Sequence, residues 1–425
     1  MNSNELIWSE VKRMEEMEFV TRCSSCGARV FIVGGYVRDA IRGAKPKDKD
    51  YVVSGMREDD FVRLFPDAEK VGKSFPVYLV LIDGEKCEVA FARRERKCGT
   101  GYRGFRVEFS PVVTIEDDLF RRDTTMNAIA VALPSHERID PYGGADDIAH
   151  HIIRPVSEHF TDDPVRALRA ARQRAELGFE LLPETIEAMK LCRDEIAAEP
   201  SERIMNELTR ALKTMRPSLF FRALRAADLL DVTFPEIFAL IGKTQPTAFH
   251  PEGDAFEHTM LVVDDVASKT DDIMTRFSAL VHDIGKGVTP ASMLPHHYGH
   301  DKNGGAVLMK WNERMTLPRE WVKAASFVIR EHMRAPRLTK SGKIVRLLLD
   351  VERSPLTFDA FNAIIMADNK SLPIYLAHAN DILPRLHEVS GNDAPEGVKG
   401  QAVGAWLIGE QAKIYKRLAY QYTHQ

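Results

Sequence analysis

The stretch Val30–Tyr51, VFIVGGYVRDAIRGAKPKDKDY, decides the reading of the chain. VFIV is a short apolar, β-prone run and predicts a strand. Gly34 and Gly35 follow, removing two side chains where the backbone must turn. A phosphate can then approach the N–H groups that open the next helix. Arg38 and Asp39 fall in that predicted helix, and Gly43 ends it. The following segment predicts a second strand carrying Asp48 and Asp50. A strand's period of two sets both carboxylates on one face. Two hard oxygen ligands beside a phosphate-binding turn suit a pair of Mg²⁺ ions that clamp a nucleoside triphosphate.

Further along, two apolar runs between Lys70 and Phe91 flank the turn Asp83-Gly84. Glu88 lies in the second run, where a third carboxylate can help hold metal or activate a hydroxyl. Next comes IEDDLFRRDTTMNAIAVAL, residues 115–133. Its paired Arg121 and Arg122 offer guanidinium forks that match phosphate oxygens. The order GG-x-x-R-D, then D-x-D, then ED-D-x-x-RRD-x-T-x-NA resembles the head of the class II tRNA nucleotidyltransferases and bacterial poly(A) polymerases. That resemblance implies a mixed-sheet nucleotidyltransferase head in which Asp48 and Asp50 are catalytic, and Glu88 is a candidate third catalytic carboxylate beside them. It also implies that Gly35, Arg38 and Arg122 contact the nucleotide.

TDDPVRALRAARQRAEL begins a helical region. Asp163 before Pro164 is a good helix cap. Arg166, Arg169 and Arg172 recur at steps of three, which keeps them adjacent along one side. A carboxylate accepts from an exocyclic amino group and a guanidinium donates to a ring nitrogen. Cytosine and adenine present that pair on their pairing edges; guanine and uracil do not. The run resembles the E-D-x-x-R motif of class II CCA-adding enzymes, with Asp163 and Arg166 as the reading pair and Arg169 and Arg172 as the arginines that follow. Asp162 stands where that motif has Glu.

A second chemistry starts near residue 250. His258 sits in a helical setting, and RFSALVHDIGKG carries the doublet His282-Asp283. With a later aspartate, for which Asp368 is preferred over Asp350, these imidazoles and carboxylates suit a transition metal. His296, His297, His300 and His332 are candidates to extend the site. HDIGKG resembles the HD phosphohydrolase superfamily. Head, neck and HD domain in this order resemble the multifunctional CCA-adding enzymes of gammaproteobacterial type. The resemblance implies CTP, ATP and tRNA as substrates, Mg²⁺ in the head, and Ni²⁺ or another divalent transition metal in the HD site. It implies 2′,3′-cyclic phosphodiesterase, 2′-nucleotidase and phosphatase activities there, and leaves monomer or homodimer open.

The expected fold class is α+β. The expected segments are an N-terminal extension over 1–27, the head over 28–150, a helical neck over 151–245, an all-α HD domain over 246–390 and a helical tail over 391–425. Within the neck, the apolar spacing of Ile204, Leu208 and Leu212, then Leu219, Phe220 and Leu224, predicts two packed helices.

The chain has 425 residues, 44% of them hydrophobic, and a net charge of −4. That balance fits several globular domains and excludes a uniformly basic nucleic-acid coat. Six basic residues between Arg93 and Arg106, with Tyr102 and Phe105 among them, are a local exception that can track a phosphate backbone. The five cysteines suit a reducing compartment, Cys23-x-x-Cys26 lacks a partner pair, and no apolar run reaches membrane-spanning length, so a cytoplasmic protein is expected. Two other readings share these features. A poly(A) polymerase would carry consecutive basic residues after Val71-Gly72 and a basic tail, and the chain has VGKSFPVYL and only a mildly basic tail. A phosphohydrolase with a nucleotide-binding but inactive head is opposed by the intact Asp48 and Asp50.

Overall fold

The computed structural model describes residues 14–71, 75–99 and 105–423, and its contacts divide the chain into two compact units, 1–199 and 200–425.

The first unit is built on a seven-stranded mixed sheet. Its strands are β1 (Arg29–Val33), β2 (Asp50–Ser54), β3 (Glu69–Val71), β4 (Val77–Ile82), β5 (Glu85–Phe91), β6 (Ala130–Leu133) and β7 (Arg138–Ile139). They lie in the order β3-β4-β5-β2-β1-β6-β7. β4 and β5 form an antiparallel hairpin in which Asp83 and Gly84 both take positive φ, the conformation a two-residue turn needs to match strand twist. β2 runs parallel to β5 with Tyr51 opposite Val89, so Asp50 and Glu88 stand one step before that pair on neighbouring strands. Phe31, Val33, Val52 and Ala130 pack one face of the sheet against Ile115 and Leu119.

One feature differs from the sequence reading and another adds to it. β2 begins only at Asp50, and Asp48 lies in the bend before it. Pro46 and the charged KPKDK run cannot join the ladder, whose register ends where Val33 meets Asp50. Asp48 is therefore brought near Asp50 by a bend and not by strand alternation. The helix of the N-terminal segment, Glu16–Ser24, is docked onto the sheet. Phe19 is fully buried against Tyr51 and Phe65, which contributes about 1.5–3 kcal/mol. Glu16 accepts from Tyr51 Oη at 2.5 Å and Lys49 Nζ at 3.0 Å, so this helix braces the strand that carries Asp50.

The second unit is helical. The helices Ser201–Leu212 and Ser218–Ala226 bury Ile204, Leu208, Leu212, Leu219, Phe220 and Leu224. Five further helices carry chemistry at or beside their ends: Ala255–Ala267, Ile273–Val281, His300–Met315, Arg319–Glu331 and Phe358–Asn369. The apolar faces of Ala255–Ala267, Ile273–Val281, Arg319–Glu331 and Phe358–Asn369, with Ser341–Arg353 and Gln401–Thr423, form a core around Leu347, Leu348, Phe361 and Ile364. All five cysteines are free thiols. Among the described residues no helix is long and apolar enough to cross a membrane.

Candidate functional site

In the first unit the site grows from Gly34. Its φ of 74° and ψ of −138° lie where only glycine is comfortable. A Cβ there would sit 3.4 Å from Arg122 Nη1 and 3.9 Å from Asp50 Oδ2. A Cβ on Gly35 would sit 3.5 Å from Arg38 Nη2. The two glycines thus clear a space framed by one carboxylate and two guanidiniums. Burial, then the charge of Glu88, push the Asp50 carboxyl up to about 6, against the pull of Arg122, with Asp48 adding to the rise. Asp48, Asp50 and Glu88 thus form one group of like charges held close together, which a divalent cation relieves.

The arginines are fixed from behind. Asp118 is fully buried and takes Arg121 at 2.5 Å and Arg122 at 3.0 Å, one on each oxygen. Burial alone would raise its carboxyl, but these guanidiniums hold it at about 2. Arg38 forks onto Asp39 through two bonds of 3.1 Å and donates to Asn127 Oδ1 at 3.0 Å. Asn127 donates to Asp123, and Asp123 also accepts from Arg169 Nε at 2.8 Å. One hydrogen-bonded path therefore joins Arg38 to the helix Val165–Leu177.

That helix carries Arg166, Arg169 and Arg172, and Asp163 stands just before it. Asp163 Oδ1 accepts from the Val165 N–H at 3.2 Å, capping the helix as its place before Pro164 foretold. Arg166 is buried, donating to the His159 carbonyl and to Glu95 Oε2. Arg172 is ion-paired with Glu176 at 2.7 Å. Glu95 also takes Arg93 at 2.9 Å and Arg121 at 3.0 Å. The basic stretch after residue 92 therefore faces partly inward: Arg93 belongs to this cluster, Arg94 pairs with Asp117, and Lys97 pairs with Glu195. Arg96 is exposed, while Tyr102 and Arg103 lie outside the described residues. Glu95, Asp118, Asp123 and Asn127 were not singled out as site residues from the sequence, although the inward turn of their stretches is what fixes the arginines.

In the second unit, His258, His282, Asp283 and Asp368 meet. His258 Nε2 lies 3.0 Å from Asp368 Oδ1 and 3.8 Å from Asp283 Oδ2, and His282 Nε2 lies 3.2 Å from Asp283 Oδ2. His300 and His332 join them, each with Nε2 at 3.3 Å from Asp283 Oδ1. His297 does not: it bonds Thr289 and the Thr244 carbonyl, and His296 stacks on Tyr298. Gly285 permits the assembly, since a Cβ there would lie 1.9 Å from the His300 carbonyl oxygen.

The donor chemistry fits a metal. His282, His300 and His332 each set Nδ1 within 2.7–3.1 Å of a backbone carbonyl, and His258 Nδ1 lies 2.6 Å from Glu252. A carbonyl can only accept, so Nδ1 carries the proton and Nε2 presents a lone pair toward Asp283 or Asp368. His282 Nε2 and both Asp283 oxygens are buried without an aligned hydrogen bond, although charged neighbours approach to 2.5–3.3 Å. Burial opposes ionisation of Asp283, yet Lys286 and His282 hold its carboxyl well below the usual range. Lys286 and Glu252 are contributors that sequence spacing did not single out; Lys286 stood inside HDIGKG, but Glu252 lies in a loop with no periodicity to mark it. The cluster borders a cavity of about 620 Å³.

With this geometry in hand, the chain's relatives can be set beside it. The family described as Poly A polymerase head domain matches residues 30–154, the Probable RNA and SrmB-binding site of polymerase A matches 178–241, and the HD domain matches 255–355. A solved structure of a CCA-adding enzyme with ATP shares the fold at a TM-score of 0.63, with 18% identity over 97% of this chain and 90% of its own. The Multifunctional CCA protein of Acinetobacter baumannii is 37% identical over 93% of this chain and 98% of its own length. That of Nitrosococcus oceani is 42% identical over 92% of this chain and 98% of its own, and at this level of likeness across nearly the whole length the chain belongs to the multifunctional CCA protein family.

Proposed function

We propose that the first unit transfers CMP and AMP from CTP and ATP to a tRNA 3′ end, completing C, C and A, and that the histidine–aspartate cavity hydrolyses phosphate esters at RNA 3′ ends. The observation that carries the first half is the space at Gly34, bounded by the Asp50 carboxylate and the Arg122 guanidinium. In each addition the tRNA 3′-hydroxyl oxygen bonds to the α-phosphorus, the α–β P–O bond breaks, and pyrophosphate leaves. Asp48 and Asp50 would hold two Mg²⁺ ions, which when bound ease deprotonation of the hydroxyl and neutralise the departing pyrophosphate. Glu88 adds a third carboxylate beside them. Arg38 and Arg122 donate to the triphosphate beside the bare backbone at Gly35, held flat by Asp39 and Asp118. Asp163 and Arg166 read the base, and Glu95 fixes the plane of Arg166. Arg169 and Arg172 lock the reading helix through Asp123 and Glu176.

For the second half, the support is the set of four imidazoles aligned with Nε2 toward two aspartates. His258, His282, Asp283 and Asp368 would hold Ni²⁺ or another divalent transition metal, which supplies a nucleophilic water when bound. In the hydrolysis a water oxygen bonds to phosphorus, the ester P–O bond breaks, and the released ribose oxygen takes up the proton.

The test offers three tRNA transcripts, ending at the discriminator base, at C and at CC, with CTP and ATP singly and together, products being resolved to one nucleotide. Ordered growth to CCA followed by a halt is expected, and Asp48→Ala should abolish it. A single A added to the CC transcript alone would mean an A-adding specialist, and a long A ladder would mean a poly(A) polymerase.

A further inference from the structure

The cavity beside the histidine–aspartate cluster carries features that phosphate chemistry alone does not need. Two of its lining residues are large aromatics facing solvent: Phe249 is 82% exposed and Tyr298 is 73% exposed. Large rings left in water are costly unless something covers them, and here both border the same cavity as His258 and Asp368. His296 stacks beneath Tyr298, with ring centroids 5.6 Å apart at 24°, which braces that ring. Gln245 also lines the cavity and is only 3% exposed. Its Oε1 accepts from Lys286 Nζ at 2.5 Å. An ammonium can only donate, so that contact fixes the amide orientation and leaves Nε2, a donor without a partner, for a ligand oxygen. The exposed cations Arg337 and Lys370 complete the rim.

We propose that this cavity binds a nucleoside as well as its phosphate, with Phe249 and Tyr298 holding the base of an RNA 3′-terminal nucleotide. The Gln245 amide meets a ribose or phosphate oxygen, and Arg337 and Lys370 meet the preceding backbone phosphate. Aromatic faces stack any base, so the pocket selects nucleotides over simple phosphate esters without selecting a sequence. This deepens the reading of the cavity as a phosphohydrolase site and rests on it.

The test uses the full chain with Ni²⁺ and three substrates: 1-O-methylribose 2′,3′-cyclic phosphate, which has no base or other aromatic ring, cytidine 2′,3′-cyclic phosphate, and a trinucleotide ending in a 2′,3′-cyclic phosphate. Phe249→Ala and Tyr298→Ala should each raise KM for the two base-bearing substrates about tenfold. They should leave kcat, and all kinetics on the base-free ester, near wild type. Both side chains are largely exposed, so neither truncation empties the core. Direct titration with cytidine 2′-monophosphate should show the same tenfold loss of affinity. Arg337→Gln should raise KM for the trinucleotide more than for the mononucleotide. Equal kinetics of the aromatic variants and wild type on all three substrates, with unchanged cytidine 2′-monophosphate affinity, would overturn the base platform while leaving the phosphohydrolase reading intact. An equal effect of Arg337→Gln on both nucleotides would overturn the RNA end as ligand. Failure of the wild-type chain to hydrolyse any of the three would overturn the phosphohydrolase reading and this proposal with it.

Discussion

The two candidate centres prepare for a cation in opposite ways. In the first unit the protein offers few ligands, and they are partly open to water: Asp48 is exposed, Asp50 is half-buried, and glycine backbone makes up much of the remaining frame. In the second unit the ligand set is nearly complete and nearly dry, with His282, Asp283 and His332 at most 1% exposed. The difference fits the ion proposed for each centre. Mg²⁺ dehydrates reluctantly and takes substrate phosphate oxygens among its ligands, so a site for it is finished by the nucleotide. A transition metal held by imidazole is bound before substrate arrives, so its ligands must be oriented in advance, as the Nδ1 bonds do.

The sharpest way to break that comparison is reciprocal. Asp50→Ala should lower CMP and AMP transfer by about 10³-fold or more, equivalent to several kcal/mol of transition-state stabilisation, and leave phosphoester hydrolysis unchanged. Asp283→Ala should do the reverse and also strip bound transition metal, read by metal analysis of the purified protein. Loss of both activities from either substitution would mean that the two centres are one functional unit.

The next effect concerns stability. Asp118→Asn should destabilise the first unit by about 3–5 kcal/mol, because it leaves Arg121 and Arg122 without their buried partner. The pH dependence has a definite sign. The Asp118 carboxyl is held at about 2, below its unfolded value near 3.9, so its contribution is present above pH ~4 and is lost as pH falls toward 2. Denaturant titrations of wild type and Asp118→Asn should therefore converge as the pH is lowered through that window. Curves that stay parallel would place the stabilisation elsewhere.

What could be read in advance depended on periodicity and on glycine. The turn at Asp83-Gly84 was legible because a hairpin needs positive φ there, and Asp368 was preferred over Asp350 for its helical setting. Gly34 and Gly35 marked the turn after β1 because no other residue suits the first position. Asp48 was misplaced onto a strand, because D-x-D alternation cannot reveal that Pro46 and its charged neighbours stay out of the ladder. The basic run predicts that Arg93 can track a phosphate backbone, yet Glu95 draws it inward. Charge in a sequence has no direction; only the fold decides whether an arginine meets water or a buried carboxylate. Glu252 was invisible for a similar reason, since it reaches His258 from a loop.

Glu252 sharpens the comparison further. It fixes the His258 tautomer without itself approaching Asp283 or Asp368 in the geometry described. Glu252→Ala should weaken metal affinity or hydrolysis by about 10–100-fold, less than loss of a ligand, with nucleotide transfer unchanged. Metal titrations of hydrolysis separate the cases: a shifted midpoint with an unchanged plateau marks an orienting role. A lost plateau would make Glu252 a ligand in its own right, which the nearby grouping of His250, Glu252 and His258 permits.

The smallest effect belongs to an outward part of the basic stretch. Arg93 is committed to Glu95, and Arg94 to Asp117, but Arg96 is exposed. If the strand Arg94–Lys97 meets acceptor RNA, Arg96→Ala should reduce the slope of log affinity against log salt by about 0.7–0.9, the release of one counterion. The rate with saturating RNA should not change. Arg94→Ala should act more weakly still, because Asp117 already neutralises that charge. Filter binding of tRNA at several salt concentrations measures both slopes. An unchanged slope for Arg96→Ala would make this strand a solvated edge. The open frame at Gly34 would then depend on the arginines held behind it, and not on this strand, to draw in a negatively charged substrate.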